Sequence, residues 1–187
     1  MVLRRRLSGQ LLVAGPGLED PNFRRTVVLI LEHADEGALG VVLDRPSQTP
    51  VGEILEDWVD AVSPPGLIHI GGPVSSGAVV AVARSLSEDQ VPGMSTVTGR
   101  VGVIDLHQGP EDYLGRLDAL RLFAGFASWG EGQIEGELEE EAWWVFDAEP
   151  DDPFGPEPAH LWRTVVGRQG GTYRRLASLL PDHLDLN

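Results

Sequence analysis

The sequence contains neither cysteine nor lysine. Without cysteine, the protein can form no disulfide bond, thiolate metal site, cysteine-ligated iron–sulfur cluster or cysteine nucleophile. Without lysine, its net charge of −15 results from 14 arginines set against 29 acidic residues. Nucleic acid binds to clustered positive charge, and a chain this acidic is repelled from phosphates at long range. We therefore predict no direct binding of nucleic acid.

Long apolar runs are also absent. The run at residues 27–31 is typical of this chain, and a membrane-spanning helix needs about 20 apolar residues. The arginines at residues 4–6 resemble the start of an export signal, but Ser8, Gly9 and Gln10 interrupt the hydrophobic region that would have to follow. We therefore predict a soluble cytoplasmic protein that does not associate with membranes.

Glycine and proline are frequent, with 23 and 14 residues. Turns are therefore numerous and helices short, which disfavours an all-helical bundle. A length of 187 residues is typical of one domain. The residues that follow the proline-rich stretch at 150–158 are too few to form a second core. We predict one domain over residues 1–187.

Strands dominate the predicted secondary structure. Turn residues at 34–37 predict that segments 25–33 and 38–44 pair as antiparallel neighbours. Residues 87–99 are predicted to be a polar connection. Short runs rich in β-branched residues predict the strands themselves, at residues 11–14, 27–31, 41–43, 67–70, 78–83, 101–106, 118–126 and 143–146.

Helices are predicted between and after the strands. One is expected to begin with Thr49 as its N-cap and to end before Pro64, with an apolar stripe along one face. Residues 132–142 predict an amphipathic helix with a narrow apolar edge. Two C-terminal helices are separated by Gly170 and Gly171. Strands that pair early through short turns, with helices gathered late, predict an α+β fold.

Four motifs in register resemble the YqgE/AlgH family. They are an opening stretch over residues 9–46, Gly-Gly-Pro-Val at 71–74, an aromatic and polar stretch at 123–135, and a C-terminal stretch from 161 to Leu186-Asn187. The resemblance implies a single domain whose mixed, largely antiparallel sheet curls into a pseudo-barrel with flanking helices, in the bacterial cytosol. The family takes its name from a proposed role in transcriptional regulation, and the resemblance implies no established activity.

Ten residues of these motifs are predicted to form a ligand-binding site. They occupy a turn before a buried strand, the end of a strand, a glycine-rich bend and the start of a helix. Asp44 departs from the family, which generally has Asn there, and this puts in doubt any role that needs an uncharged amide. The predicted residues are Asp20, Asn22, Arg24, Asp44, Arg45, Gly71, Gly72, Trp129, Gln133 and Glu135.

Each part of this site also has a structural interpretation. Asp and Asn beside a proline are turn formers, so the turn at residues 20–24 can serve the fold alone. The partner of Arg45 is either a structural acid, Glu19 or Glu53, or an anionic ligand. The glycines at 71 and 72 form either a tight turn or a set of N–H groups for an anion. Trp129 is either core or the wall of a pocket.

Other candidate groups carry less weight. His33 and His69 lie among apolar strand residues and are expected to be packing residues. Asp105 and His107 would share one side of a strand, but no third ligand in a known pattern accompanies them. The acidic run at residues 131–152 is expected to be a solvated face. We predict no metal site, no cofactor and no catalytic residue.

Three functions are compatible with these residues. The first is a non-catalytic regulatory or adaptor protein that binds a small molecule or a protein in the cleft. The second is an enzyme, for example a hydrolase, that uses carboxylate, histidine and arginine groups of the same cleft. The third is a DNA-binding regulator, which the charge opposes. The sequence leaves the ligand and the oligomeric state open.

The charge generates a first prediction. Fluorescence anisotropy with labelled duplex DNA should show no binding by the isolated protein at physiological ionic strength, because DNA phosphates repel a protein with a net charge of −15. A rise in anisotropy that weakens with added salt would contradict this expectation.

Overall fold

The computed structural model describes residues 6–180, in which ten strands form one sheet with three α-helices packed against it. The predicted family ending at Leu186 and Asn187 lies outside the described residues. The helices are α1 (Gln133–Glu139), α2 (Leu161–Arg168) and α3 (Gly171–Leu179). The strands are β1 (Gln10–Ala14), β2 (Val27–Ala34), β3 (Gly37–Val42), β4 (Pro46–Pro50), β5 (Leu67–Ile70), β6 (Val74–Ser85), β7 (Met94–Thr98), β8 (Val101–Ile104), β9 (Leu117–Gly130) and β10 (Trp143–Asp147).

Strand β9 joins the two halves of the sheet. It pairs with β6 over residues 117–126, with β5 at 123–124, and with β3 over 127–130. The strand order is β10-β1-β2-β3-β9-β6-β8-β7, with β4 attached through β5. Among the described strands, β5 and β9 form the one parallel pair. The predicted α+β fold with a mixed, largely antiparallel sheet curled into a barrel-like shape is confirmed.

Gly125 marks the point where β9 changes partners. Its φ is +71°, and a Cβ atom there would lie 2.7 Å from the carbonyl oxygen of Gly72. Only glycine fits this position without strain. The facing strand β6 has extra residues, 75–78, at the same level. The bend predicted at 71–77 is therefore partly strand, because β6 begins at Val74.

The helix predicted to begin at Thr49 is wrong. Thr49 lies in β4, which two 3-10 helices follow, at Val51–Glu53 and Glu56–Ala61. Leu55, between these helices, has φ −138° and ψ 77°, so the helical path is broken there. Of the predicted apolar stripe, only Trp58 is buried. A stripe that buries a single side chain gains too little from packing to hold a continuous helix.

Two further boundaries differ from the prediction. The connection predicted over residues 87–99 contains β7, which lies at an edge of the sheet. Its exposed side chains, Ser95 and Thr96, are polar, so the sequence lacks the apolar run that predicts a strand. Strand β8 ends at Ile104. Asp105 therefore lies beyond the strand, where its Oδ1 accepts the backbone N–H of His107 at 2.9 Å. The two side chains share a turn and not one side of a strand.

Three apolar clusters fill the fold. One lies inside the curled sheet and is closed by α2, whose fully buried Trp162 donates its indole N–H to the Ala14 carbonyl at 2.9 Å. The second lies on the other side of β1 and β2, under α1, and the third lies under the 3-10 helices. No helix within residues 6–180 is long and apolar enough to span a bilayer.

A buried arginine fastens two loops to β9. Arg121 Nη1 donates hydrogen bonds to the carbonyl oxygens of Pro153 at 3.0 Å and Gly155 at 3.1 Å, and Nη2 donates to that of Pro64. Burial lowers the pKa of Arg121 to about 10. The guanidinium remains charged at neutral pH. Its hydrogen-bond acceptors are three backbone carbonyl groups, and within residues 6–180 no carboxylate pairs with it.

His69, on the adjacent strand, is fully buried and neutral. Its Nδ1–H donates to the Leu67 carbonyl at 3.1 Å, and its ring packs edge-on against Phe123. Burial, and then the charge of Arg121, lower the pKa of His69 to about 4. With no exposed surface, His69 behaves as the expected packing residue.

The shifted pKa of His69 predicts a pH-dependent stability. Unfolded, His69 binds a proton near pH 6.5, whereas in the fold it does so only near pH 4. The free energy of unfolding should therefore fall as the pH is lowered through this interval, with a contribution from His69 of about 3 kcal/mol. Urea unfolding at a series of pH values should give a smaller decrease for His69→Gln, which cannot ionise. Equal decreases in the two proteins would contradict the assignment.

Candidate functional site

The turn that precedes β2 is held by its own backbone and by Asp20. The Oδ1 atom of Asp20 accepts the N–H of Asn22 at 2.8 Å, and its carbonyl oxygen accepts the N–H of Arg24 at 2.7 Å. Arg25 ends the turn with φ +57°. Asn22 is exposed and Arg24 is half-buried. Among the described residues, neither side chain makes a hydrogen bond or an ion pair, so both are available at the surface.

Arg45 binds this turn from the end of β3. Its Nη1 donates to the carbonyl oxygen of Pro21 at 2.8 Å, and its Nη2 donates to that of Arg24 at 3.2 Å. The expected acidic partners Glu19 and Glu53 are therefore not the groups it bonds. Burial lowers the pKa of Arg45, while the charge of the adjacent carboxylate raises it. Arg45 acts as a clamp that fixes the turn to the strand end.

Asp44 is fully buried beside that clamp. Its Oδ1 accepts the backbone N–H of Val27 at 3.1 Å, which ties the end of β3 to the start of β2. Either Asp or Asn offers such an oxygen, so this bond does not itself require the charge of Asp44.

Phe23 connects the turn to the aromatic part of the site. Its ring lies 6.2 Å from that of Trp129 on β9 and 5.5 Å, edge-on, from that of Trp143 on β10. Aromatic pairs at these separations and tilts are favourable. The turn, the end of β9 and the start of β10 therefore pack as one unit.

A carboxylate in α1 joins the two indoles. Oε2 of Glu137 accepts the indole N–H of Trp129 at 3.0 Å and that of Trp143 at 2.8 Å. Its Oε1 accepts the side-chain amide of Gln133 at 2.9 Å. The oxygen of Gln133 in turn accepts the backbone N–H of Gly130 at 3.1 Å. The oxygen of the Gln133 amide thus holds α1 to the sheet, and its nitrogen holds the Glu137 carboxylate within the helix.

Glu135 lies on the same helix and faces His33 of β2, with 3.4 Å between its Oε1 and the Nε2 of the histidine. The Nδ1 of His33 accepts the backbone N–H of Leu7 at 3.1 Å. Because Nδ1 is an acceptor, the ring proton must sit on Nε2, where it points to the carboxylate. His33 therefore links α1 to the chain before β1.

The two predicted glycines serve a different purpose. The N–H of Gly71 donates to the Ala124 carbonyl at 2.9 Å, and its own carbonyl accepts the N–H of Val42 at 2.8 Å. A Cβ atom on Gly71 would overlap the carbonyl oxygen of Gly125, and one on Gly72 would overlap the backbone of Phe126. These glycines permit the chain to cross β9 closely, and the amide of Gly71 is already bonded.

The structure thus brings together eight of the ten predicted residues through three connected segments. A chain of contacts runs from Arg45 to the turn, from Phe23 to Trp129, and from Glu137 to Gln133. Gly71 bonds Val42, two residues before Asp44, and Gly72 lies against the backbone of Phe126 in β9. An open depression of about 250 Å³ borders Trp129 and carries Glu32 and Glu36 on its rim.

Metal-binding side chains do not gather here. Within residues 6–180, no three or more His, Asp or Glu side chains converge in a way that could hold an ion. The arrangement offers polar groups around an aromatic centre formed by Phe23, Trp129 and Trp143. Of these polar groups, Asn22 and Gln133 are exposed, and Arg24 and Glu135 are half-buried. Such an arrangement suits recognition by contact.

Comparison with known proteins assigns the family. The model of the AlgH-like family matches residues 11–174. The chain belongs to the AlgH-like family. A UPF0301 protein of Streptomyces coelicolor is 48% identical to this AlgH-like protein over 185 residues, which cover 97% of this chain and 95% of the relative. A UPF0301 protein of Thermobifida fusca is 41% identical over 185 residues, which cover 94% and 93%.

Two solved structures share the fold of this AlgH-like protein. The crystal structure of a Corynebacterium diphtheriae protein has a TM-score of 0.88 and 32% identity, with 96% of this chain and 95% of that chain covered. The solution structure of AlgH from Pseudomonas aeruginosa, a UPF0301 protein, has a TM-score of 0.70 and 26% identity, with 97% and 98% covered. The resemblance inferred from the motifs is confirmed, and none of these names states an activity.

Phe23, Trp143 and Glu137 belong to the site but were not predicted from the sequence, and Glu137 was the hardest to find. It lies within an acidic run, where nothing in its own position distinguishes it from its neighbours. The spacing of Gln133 and Glu137 could have indicated its role. The two residues are four apart and therefore share one side of a helix.

Substitution of Glu137 tests whether its hydrogen bonds to Trp129 and Trp143 stabilise the aromatic centre. We expect Glu137→Gln to lower the free energy of unfolding by about 1–3 kcal/mol, because the indole N–H groups lose a charged acceptor and an amide N–H faces other donors. Glu139→Gln, an equal change of charge at an exposed position of α1, should have almost no effect. Urea unfolding of the two variants measures the difference, and comparable losses would show that Glu137 contributes only charge.

Proposed function

We propose that this protein is a non-catalytic regulatory or adaptor protein of the bacterial cytosol. It acts by binding a partner at the surface formed by the turn at residues 20–24, Arg45 and the segment 129–135. The observation that carries this proposal is the division of labour among these residues. Arg45, Trp129 and Gln133 use their hydrogen bonds to fix the surface, whereas the side chains of the exposed Asn22 and the half-buried Arg24 make none within residues 6–180.

Acid–base chemistry finds little support at this surface. A general base needs a group whose proton acceptor can reach a substrate. The acceptor nitrogen of His33 is bonded to the Leu7 N–H, and His69 has no exposed surface. An enzyme that uses the carboxylates and arginines of the same surface is the alternative, and turnover of a compound bound there would favour it. The net charge of −15 weighs against a DNA-binding regulator.

The shape of the surface favours a protein over a small molecule. Pockets for small molecules usually enclose roughly 300–1,000 Å³ and bury most of the ligand. The depression beside Trp129 is smaller, about 250 Å³, and open. An open surface with an aromatic centre and polar groups at its edge is typical of a protein–protein interface.

Photo-crosslinking in the bacterium that makes this protein tests the proposal. With p-benzoylphenylalanine in place of Asn22, we expect one discrete protein adduct. The same amino acid in place of Gln90, an exposed residue of another loop, should not give it. With the purified partner, Arg24→Ala should weaken binding about tenfold, which is typical of losing one charged interface hydrogen bond.

Two results would contradict the proposal. One is the same pattern of adducts from both positions, which would reflect chance collisions. The other is an unchanged affinity in Arg24→Ala together with an unchanged free energy of unfolding, which would place the interface elsewhere on the molecule.

A further inference from the structure

A second surface of the molecule is a groove between the 3-10 helix Glu56–Ala61 and a third 3-10 helix, Pro110–Tyr113. It encloses about 380 Å³, and none of the residues discussed for the partner-binding surface lines it. The two helices approach each other through Trp58 and Tyr113, whose ring centres are 6.0 Å apart. The groove therefore lies where β9 begins, and the partner-binding surface lies where β9 ends.

The floor of the groove contains two fixed aromatic side chains beside polar groups such as those of Asp60 and Ser63. Trp58 and Tyr113 are buried, and the single hydroxyl proton of Tyr113 is shared between the carbonyl oxygens of Gly93 at 3.2 Å and Asp105 at 3.0 Å. A floor held in this way does not collapse to fill the cavity. It can accept an apolar side chain with little loss of conformational freedom.

The lip of the groove exposes an apolar side chain. Leu114 lines the groove and is 77% exposed, although leucine is usually buried. An exposed apolar side chain at the lip of a cavity is typical of an interaction site.

The charge around the groove has one predominant sign. Three exposed acids lie on the first helix, and Glu111 and Asp112 lie on the other. Arg116, just beyond the lip, is the basic residue nearest in sequence to the second helix. Asp118, which also lines the groove, is paired with Arg84 at 2.6 Å and Arg100 at 3.6 Å. The acids on the helices thus remain to attract a cation.

We propose that this groove docks a segment of a partner protein in which one large apolar side chain is flanked by arginine or lysine. The apolar side chain enters the cavity over Trp58, and the basic side chains lie along the acidic helices. Charge complementarity selects this occupant. A second copy of this chain is disfavoured, because two molecules with a charge of −15 each repel one another.

Synthetic peptides test the groove directly. The probe is the fluorescein-labelled, C-terminally amidated peptide Ala-Arg-Arg-Leu-Arg-Arg-Ala, titrated with the full chain and followed by anisotropy. We expect saturable binding. Replacing its leucine by serine should weaken binding about tenfold, the effect of losing one buried apolar side chain. Replacing its arginines by glutamates should abolish binding.

Matched variants locate the binding site. Ala61 is exposed and lines the groove, so Ala61→Arg adds both bulk and positive charge there. It should weaken binding at least tenfold. Ala78→Arg adds the same charge at an exposed position of β6 outside the groove and should leave the affinity nearly unchanged. Thermal unfolding verifies that both variants fold, and Leu114→Ser provides a second, milder disruption of the lip.

Several outcomes would overturn the inference. They are no binding at about 1 mM protein, equal binding of the leucine and serine peptides, and equal affinity of the Ala61→Arg and Ala78→Arg proteins. The second and third would mean that general attraction to an acidic protein explains the binding. Dimerisation in sedimentation that Leu114→Ser abolishes would identify a second copy as the occupant. None of these results depends on Asn22 or Arg24, so the proposed function stands or fails separately.

Discussion

One strand holds this molecule together. Strand β9 bonds to β6, then to β5 and finally to β3, so the curled sheet exists only because one continuous backbone satisfies hydrogen bonds in both halves. The transfer from one partner to the next takes place at Gly125, where the chain of Gly72 crosses within contact distance. A side chain at that crossing would force the two halves apart.

The proposed partner-binding surface depends on the far end of the same strand. Trp129 stands next to the last residue of β9, where its indole reaches Glu137 of α1 and its ring reaches Phe23 of the turn. Arg45 completes the connection through backbone carbonyls. The polar groups of this surface are therefore arranged by an aromatic and carboxylate centre that is itself part of the core, and this gives them the rigidity that recognition requires.

Local signals predicted those features that depend on neighbours in the chain. The β2–β3 hairpin followed from its turn residues, and α1 followed from apolar residues at helical spacing. The prediction of a helix after Thr49 was wrong. The apolar stripe of this segment resembles that of a helix, but only Trp58 of the stripe is buried. The partners of Arg45 could not be predicted, since carbonyl groups are present at every residue and only the folded chain decides which of them point inward.

The sequence by itself determined the class of the fold, the absence of cysteine chemistry, the acidity and the family, because each depends on composition or on residues close along the chain. The tertiary structure decided that eight of the ten predicted residues lie together, that Gly71 and Gly72 serve a close crossing, and that Glu137 joins two tryptophans. These are contacts between segments that are distant in sequence. Their existence depends on how β9 is shared among its partners, which no local pattern encodes.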